Sequence, residues 1–334
     1  MGAGEAGRSR RSLVRVLWCA VLAVLGASAF IYSSYQRDIR AARARIASGS
    51  TVVNTACGPI QYAEVGHGLP LLIIHGAGGG FDQGLDAFGG LSGQGFRVIA
   101  PSRFGYLRTP LPQDASPAAQ ADAHACLLDA LGVRTAAVIG ASAGGPSTIQ
   151  FCLRHAERCS AMVLLVPLAY APRASEPRRP PAVVARILDA SLKSDFVFWA
   201  MMKLGRDTMI QTILATPMAD FKRAPAEEQK AVLQMLEHIL PISPREQGLR
   251  NDGAIATSLP RVDLEHVRVP TLAISVENDG YGTFAGARYT ADHIPGARFV
   301  GYKNGGHLLV GHQRELTNEL VEFLRSHCAR AGGN

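Results

Sequence analysis

Gly140-Ala141-Ser142-Ala143-Gly144 is a Gly-x-Ser-x-Gly pentapeptide set between an apolar run and a helical pattern. Residues 135–139 (Thr-Ala-Ala-Val-Ile) read as a short buried strand. Residues 145–155 read as a helix, with Ile149, Leu153 and Ala156 spaced for one face. A serine on so tight a strand-to-helix turn has its hydroxyl pushed out at the tip. Glycines at 140 and 144 remove side chains that would collide across the turn, and Ala141 and Ala143 keep the rest small. The pentapeptide alone is a weak signal, because Gly, Ala and Ser are common in this chain. Its context carries the meaning.

Outward from the turn, apolar strands alternate with helices. Residues 51–54 and 60–65 alternate around Gly58-Pro59 and read as a hairpin. Residues 69–75 (Leu-Pro-Leu-Leu-Ile-Ile-His) form a continuous apolar strand that ends in a Gly-rich loop. Further strands are expected at 96–100, 161–166, 271–275 and 297–302. Helices are expected at 116–131, with a serine N-cap and Pro117 behind it, and at 312–328. Continuous apolar strands between helices mean an α/β fold with a mostly parallel central sheet covered on both faces. One region breaks the alternation after the sixth strand. Residues 172–181 are rich in Pro and Arg, and helical patterns follow at 182–192, 196–204, 207–215 and 227–240. The expected organisation is therefore an N-terminal segment (1–47), an α/β core (48–171 and 261–330) and an inserted all-helical lid (172–260). Such an insertion would sit over the carboxyl ends of the strands, where open α/β sheets place their sites.

The chain has 334 residues, is 47% hydrophobic and 18% charged, and carries a formal charge of +7. Residues 1–45 hold eight arginines against Glu5 and Asp38, so the remaining 289 residues are near neutral. A basic nucleic-acid-binding body is excluded. Val16 to Tyr32 is free of charge and is bracketed by Arg15 and Arg37, at the short end of what spans a bilayer. Ser9-Arg10-Arg11-Ser12-Leu13-Val14-Arg15 resembles a twin-arginine export signal, and Ala27-Ser28-Ala29 is an A-x-A pattern. Two readings compete: an uncleaved single-span anchor with 36–46 as a stalk, and an export signal that is removed. Four arginines on each side leave the orientation open. The six cysteines (19, 57, 126, 152, 159 and 328) show no metal-type spacing and are expected as thiols, with no pair named. An exported body would permit a disulfide.

A serine nucleophile needs a base, an acid to orient the base, and donors for the oxyanion. The base is His307, which follows Asn304-Gly305-Gly306 just after a strand; His312 is the alternative. The acid is Asp279, four residues beyond Ser275, with Glu277 as its rival. The oxyanion donors are backbone N–H groups: Ala143, next to the nucleophile, and Ala77 or, second, Gly78 in His75-Gly76-Ala77-Gly78-Gly79-Gly80. His75 reads as a loop-packing residue. A phosphate-cradling role for the Gly-rich loop is weak, for no Gly-Lys-Ser/Thr follows it. Phe196, Val197, Phe198, Trp199, Met201 and Met202 offer either an apolar acyl pocket or a face packing the insertion onto the sheet.

His75-Gly76, Gly140-x-Ser142-x-Gly144, Asp279 and Gly306-His307, in the order Ser, acid, His, resemble the α/β-hydrolase family over residues 50–330. The resemblance implies a serine hydrolase with a helical lid, acting on a carboxylic ester or related acyl compound through an acyl-enzyme. It implies no cofactor or metal, and a small apolar acyl substrate as partner. Within the family the same triad serves C–C, lactone and thioester hydrolysis, and a binding protein that retains the fold is the remaining alternative. Relatives often carry Asp where this chain has Ser102. A serine nucleophile argues against the branches that use aspartate there.

Overall fold

A computed structural model describes residues 3–172 and 189–328, with side chains from Arg15 to His327. Two compact units result, Met1–Arg45 and Ile46–Asn334. The first is built on one helix, α1 (Ala3–Ala47). Within it Val16, Trp18, Leu22 and Phe30 are exposed, and the stretch from Arg15 is long and apolar enough to cross a membrane by length and composition. This fits a signal or an anchor.

The second unit holds an eight-stranded sheet in the order β1-β2-β4-β3-β5-β6-β7-β8. The strands are β1 (Thr51–Thr55), β2 (Gly58–Val65), β3 (Leu69–Ile74), β4 (Phe96–Pro101), β5 (Ala136–Ala141), β6 (Cys159–Leu165), β7 (Thr271–Val276) and β8 (Arg298–Tyr302). Pairing is antiparallel for β1–β2 and β2–β4 and parallel from β4 to β8. The helices are α2 (Phe81–Phe88), α3 (Pro117–Ala130), α4 (Gly145–Arg154), α5 (Asp195–Leu204), α6 (Arg206–Thr212), α7 (Met218–Arg223), α8 (Ala226–His238), α9 (Glu246–Thr257), α10 (Thr283–His293) and α11 (Gln313–Cys328). Ser116 caps α3 by accepting the Ala119 N–H, as its serine-proline start leads one to expect.

Side-chain alternation along the strands splits the core between the two faces of the sheet. Leu72, Ile74, Val138, Met162 and Leu164 pack with Leu127 and Phe151 of α3 and α4. Leu71, Ile73, Ile139, Val163 and Ile274 pack with Phe88 of α2 and Leu316, Leu320 and Phe323 of α11. The helical insertion follows β6, with α5 to α9 spanning 195–257. Helices α2, α7, α9 and α10 were not anticipated; α2 and α10 are short and Gly-bearing, which blurs their period. The Pro/Arg-rich stretch and the 182–188 part of an expected helix lie outside the described residues.

The expectation of unpaired thiols is corrected. Cys57, in the β1–β2 turn, is bonded to Cys126 of α3, and Cys152 of α4 to Cys159 at the start of β6. Residues 69 apart meet only through the fold, so spacing carried no hint of the first pair. Chain-entropy reasoning assigns the long bridge about 4 kcal/mol and the short one about 2–3 kcal/mol, by restricting the unfolded chain. Full reduction is expected to lower Tm by on the order of 10 °C. Calorimetry with and without reductant checks this, and an unchanged Tm would exclude both bridges.

Behind the serine turn, His124 of α3 is buried, with Nε2 beside Ser147 Oγ at 3.3 Å. Burial, then the charges of Arg103 and His155, lower its pKa to about 3. The folded state therefore keeps His124 neutral where the unfolded chain takes up a proton below about pH 6.5. Stability is unaffected above that value and falls as pH drops from 6.5 toward 3, by up to about 1.4 kcal/mol per unit from this residue. Urea unfolding at stepped pH should show a shallower decline for His124→Gln than for the parent. Equal slopes would rule the residue out as a contributor.

Candidate active site

The site gathers at the carboxyl ends of β3, β5, β7 and β8. β5 runs into the serine turn, where Ser142 has φ of 49°, a left-handed conformation rare for a residue with a side chain. The close approach that forces it is visible at the flanking glycines. A Cβ on Gly140 would meet Thr148 Oγ1 at 2.2 Å, and one on Gly144 would meet the Ile74 carbonyl at 2.5 Å.

Ser142 Oγ lies 2.9 Å from His307 Nε2, and His307 Nδ1 lies 2.8 Å from Asp279 Oδ2. A carboxylate only accepts, so Nδ1 carries the proton and Nε2 accepts the serine hydroxyl. Asp279 also accepts the Tyr281 N–H at 2.8 Å and the Thr283 hydroxyl. Burial opposes ionisation of Asp279, but the bonds from His307, Thr283 and the Tyr281 N–H outweigh it and hold the carboxyl below its ordinary range. His307 and Asp279 are buried and the Tyr281 ring stands edge-on to the imidazole at 4.9 Å. The rivals lie apart. Glu277 is exposed, with its N–H on the Tyr302 carbonyl, and His312 faces Asn304.

The 75–80 loop faces Ser142 from β3. Gly76 N–H donates to Gln83 Oε1, Gly78 N–H to Tyr106 Oη and Gly79 N–H to the Gly76 carbonyl. His75 is buried, donating from Nδ1 to the Gly76 carbonyl and accepting the Arg103 N–H at Nε2. Burial, then Arg103, push its pKa well below 6.5, which suits a neutral packing residue. A cavity of about 410 Å³ opens beside Ala77, Ser142 and His307. None of Phe196, Val197, Phe198, Trp199, Met201 and Met202 lines it, and Phe198, Trp199 and Met202 are buried in packing. Among the described residues no cluster of His, Cys, Asp or Glu is arranged to hold a metal ion.

Residues 70–311 match the model of the family described as alpha/beta hydrolase fold. The chain belongs to that family. The uncharacterised hydrolase YcgS of Bacillus subtilis (strain 168) is 26% identical over 278 residues, covering 80% of this chain and 96% of that protein. A 2-hydroxymuconate semialdehyde hydrolase of Pseudomonas putida is 37% identical over 105 residues, 30% of this chain and 37% of its own. An alpha/beta hydrolase fold protein from Nakamurella multipartita superposes with a TM-score of 0.72 at 26% identity, covering 85% of this chain and 100% of its own.

In this α/β-hydrolase fold the 75–80 loop is held by two buried arginines that sequence reasoning missed. Arg103 follows β4, donates to the His75 and Gly76 carbonyls and forms a two-pronged pair with Asp252 of α9 at 2.7 Å. Tyr106 Oη donates to the same carboxylate at 2.5 Å. Burial opposes the charge on Arg103, but Asp252 overrides it and raises its pKa. Arg245, from the insertion, donates to the Gly79 carbonyl and pairs with Asp82 of α2 at 2.7 Å. Ser102, where relatives often carry Asp, accepts the Phe81 N–H at the start of α2.

Proposed function

We propose that this hydrolase cleaves carboxylic esters of apolar acyl groups, with Ser142 as nucleophile, His307 as general base and acid, and Asp279 holding the imidazole tautomer. The supporting observation is the continuous hydrogen-bonded chain from Ser142 Oγ through His307 to Asp279, at 2.9 and 2.8 Å. Ser142 Oγ attacks the acyl carbon and its proton passes to His307 Nε2. The bond to the alcohol oxygen breaks and the alcohol leaves with that proton. Water, deprotonated by His307, then cleaves the acyl-enzyme. The oxyanion donors are the Ala77 and Ala143 N–H groups. Elimination within the loop supports Ala77: the N–H groups of Gly76, Gly78 and Gly79 are already engaged within the fold.

The cavity supports an extended apolar chain. Gln313, Leu316, Thr317 and Leu320 line it from α11 at the spacing of one helix face. Seven residues of helix rise about 10 Å. A chain of single bonds advances about 1.2 Å per bond, so this wall suits an acyl group of about eight carbons. Each methylene buried contributes about 0.8 kcal/mol, so kcat/KM should climb by up to fourfold per carbon to that length and then level off. Hydrolysis of p-nitrophenyl esters from acetate to palmitate, with fluorophosphonate labelling of the folded protein, tests the reading. A flat or falling series overturns the acyl assignment, and an unlabelled Ser142 overturns the nucleophile.

A second reading, C–C hydrolysis, is favoured by the segment 37% identical to a semialdehyde hydrolase. Turnover of a 2-hydroxy-6-oxo-dienoate above that of every ester would select it. The apolar helix fits an anchor or export signal, and two disulfides fit a body on the oxidising side of a membrane. We take the uncleaved anchor as the reading, which N-terminal sequencing of the mature protein checks.

A further inference from the structure

The catalytic acid and base stand on loops that leave different strands, and the sheet ceases to align them early. β7–β8 pairing ends at Val276–Tyr302, with one more bond from Glu277 N–H to the Tyr302 carbonyl. Asp279 and His307 lie beyond that point. What joins their loops comes largely from the insertion. Ala215, between α6 and α7, is buried and has φ of 45°, a conformation that a residue with a Cβ adopts only under constraint. Its carbonyl accepts both the Gly280 N–H and the His307 N–H, each at 3.2 Å. Asp220 of α7 is buried, and its Oδ2 accepts Asn278 Nδ2 at 2.6 Å and the Gly305 N–H at 3.1 Å. Asn278 Oδ1 in turn accepts the Gly306 N–H at 3.0 Å. Thr216 Oγ1 accepts the Leu308 N–H at 3.4 Å. Asn278 and Gly280 flank the acid, and Gly306 and Leu308 flank the base, so these bonds bracket both residues on either side.

We propose that Asp220, Asn278 and the Ala215 carbonyl are positioning groups that set the spacing of Asp279 and His307, making the insertion a scaffold of the reaction as well as a cover. The proposal rests on the reading of Asp279 and His307 as the acid–base pair. Charge suits the role. A carboxylate at 220 accepts from two loops at once, whereas a neutral residue of similar size offers fewer acceptors. Arg223, three residues on in α7, pairs with the other oxygen at 2.5 Å and keeps the carboxylate turned toward the loops. Misplacing a reacting group by about 1 Å costs on the order of a hundredfold in rate.

The test compares Asp220→Ala, Asp220→Asn and Asn278→Ala in the full chain, using an ester that the parent hydrolyses. Asp220→Ala is expected to lower kcat on the order of a hundredfold with KM within about twofold. Asp220→Asn retains an oxygen acceptor and should recover at least a tenth of the parent kcat. The downfield proton resonance of the His307 Nδ1–H···Asp279 bond should weaken or shift in Asp220→Ala and Asn278→Ala and return in Asp220→Asn. If Asp220→Ala fails to fold, Asn278→Ala and Asp220→Asn carry the comparison, because each leaves the Ala215 bonds in place. Unchanged kcat and an unchanged proton resonance in Asn278→Ala, with only Tm altered, would overturn the proposal. Absence of fluorophosphonate labelling in the parent would instead overturn the underlying triad, so the two failures are distinguishable.

Discussion

Ser142→Ala is expected to lower kcat for ester hydrolysis by about 10⁶-fold, with Tm within a degree or two of the parent. The magnitude follows from the single role of the side chain. Ser142 Oγ is the atom that His307 Nε2 meets at 2.9 Å, and alanine at this position keeps the backbone path through the turn. Both residues suffer the same penalty at φ of 49°, so the strain of the turn is not relieved and the fold is not changed. The proposed Ala77 and Ala143 donors survive the change, and a residual rate above that in water should persist. Asp279→Asn offers a graded companion, with an expected loss of about 10⁴-fold. An amide at 279 donates to Nδ1 and leaves the proton on Nε2, where it faces the serine hydroxyl instead of accepting from it. Steady-state kinetics and calorimetry on the two variants decide the matter. Wild-type turnover by Ser142→Ala, with contaminating esterase excluded by active-site titration, removes Ser142 from the mechanism.

The residues proposed to carry the chemistry were legible because such chemistry restricts residue types locally. Ser142 stands in a pentapeptide whose glycines are demanded by contacts to Thr148 and the Ile74 carbonyl. Asp279 follows a fully buried strand and His307 the last strand of the sheet, and the parallel pairing carries both strand ends to one edge. The strands themselves were read within a residue or two, the opening hairpin from alternation and the others from apolar runs. What escaped is what depends on distance in the chain. Arg103 and Asp252 are 149 residues apart, Arg245 and Asp82 163, and nothing near any of them hints at a partner. The aromatic run at 196–202 left two readings open for the opposite reason. Its period announces an apolar face without stating what that face meets; Phe198, Trp199 and Met202 are buried, and none of the run lines the cavity beside Ser142.

Arg245→Met should cost about 3–5 kcal/mol of stability, the penalty of breaking a buried ion pair from one side. Arg245 is fully buried, and its guanidinium N–H groups meet Asp82 and the carbonyls of Gly79, His238 and Pro241. Removing it takes the guanidinium from the Asp82 carboxylate and frees the Gly79 carbonyl. Stability and activity should then separate. In the double variant Arg245→Met/Asp82→Leu no charge is left stranded, and well-packed apolar replacements recover most of the lost stability. Activity is not expected to follow. The Gly79 carbonyl is still unanchored, and the loop proposed to aim the Ala77 N–H keeps its bonds with Arg103, Tyr106 and Gln83 but loses its hold at Gly79. Loss of one aligned oxyanion donor costs about 2.7–4 kcal/mol in the transition state, or 10²- to 10³-fold in kcat, with little change in KM. Affinity for a boronic acid, whose tetrahedral adduct needs the same donor, should fall in step with kcat. Urea unfolding, steady-state kinetics and inhibitor binding on the parent, single and double variants separate the two effects. Recovery of kcat together with stability in the double variant would show that Arg245 only neutralises Asp82 and has no part in aiming the loop.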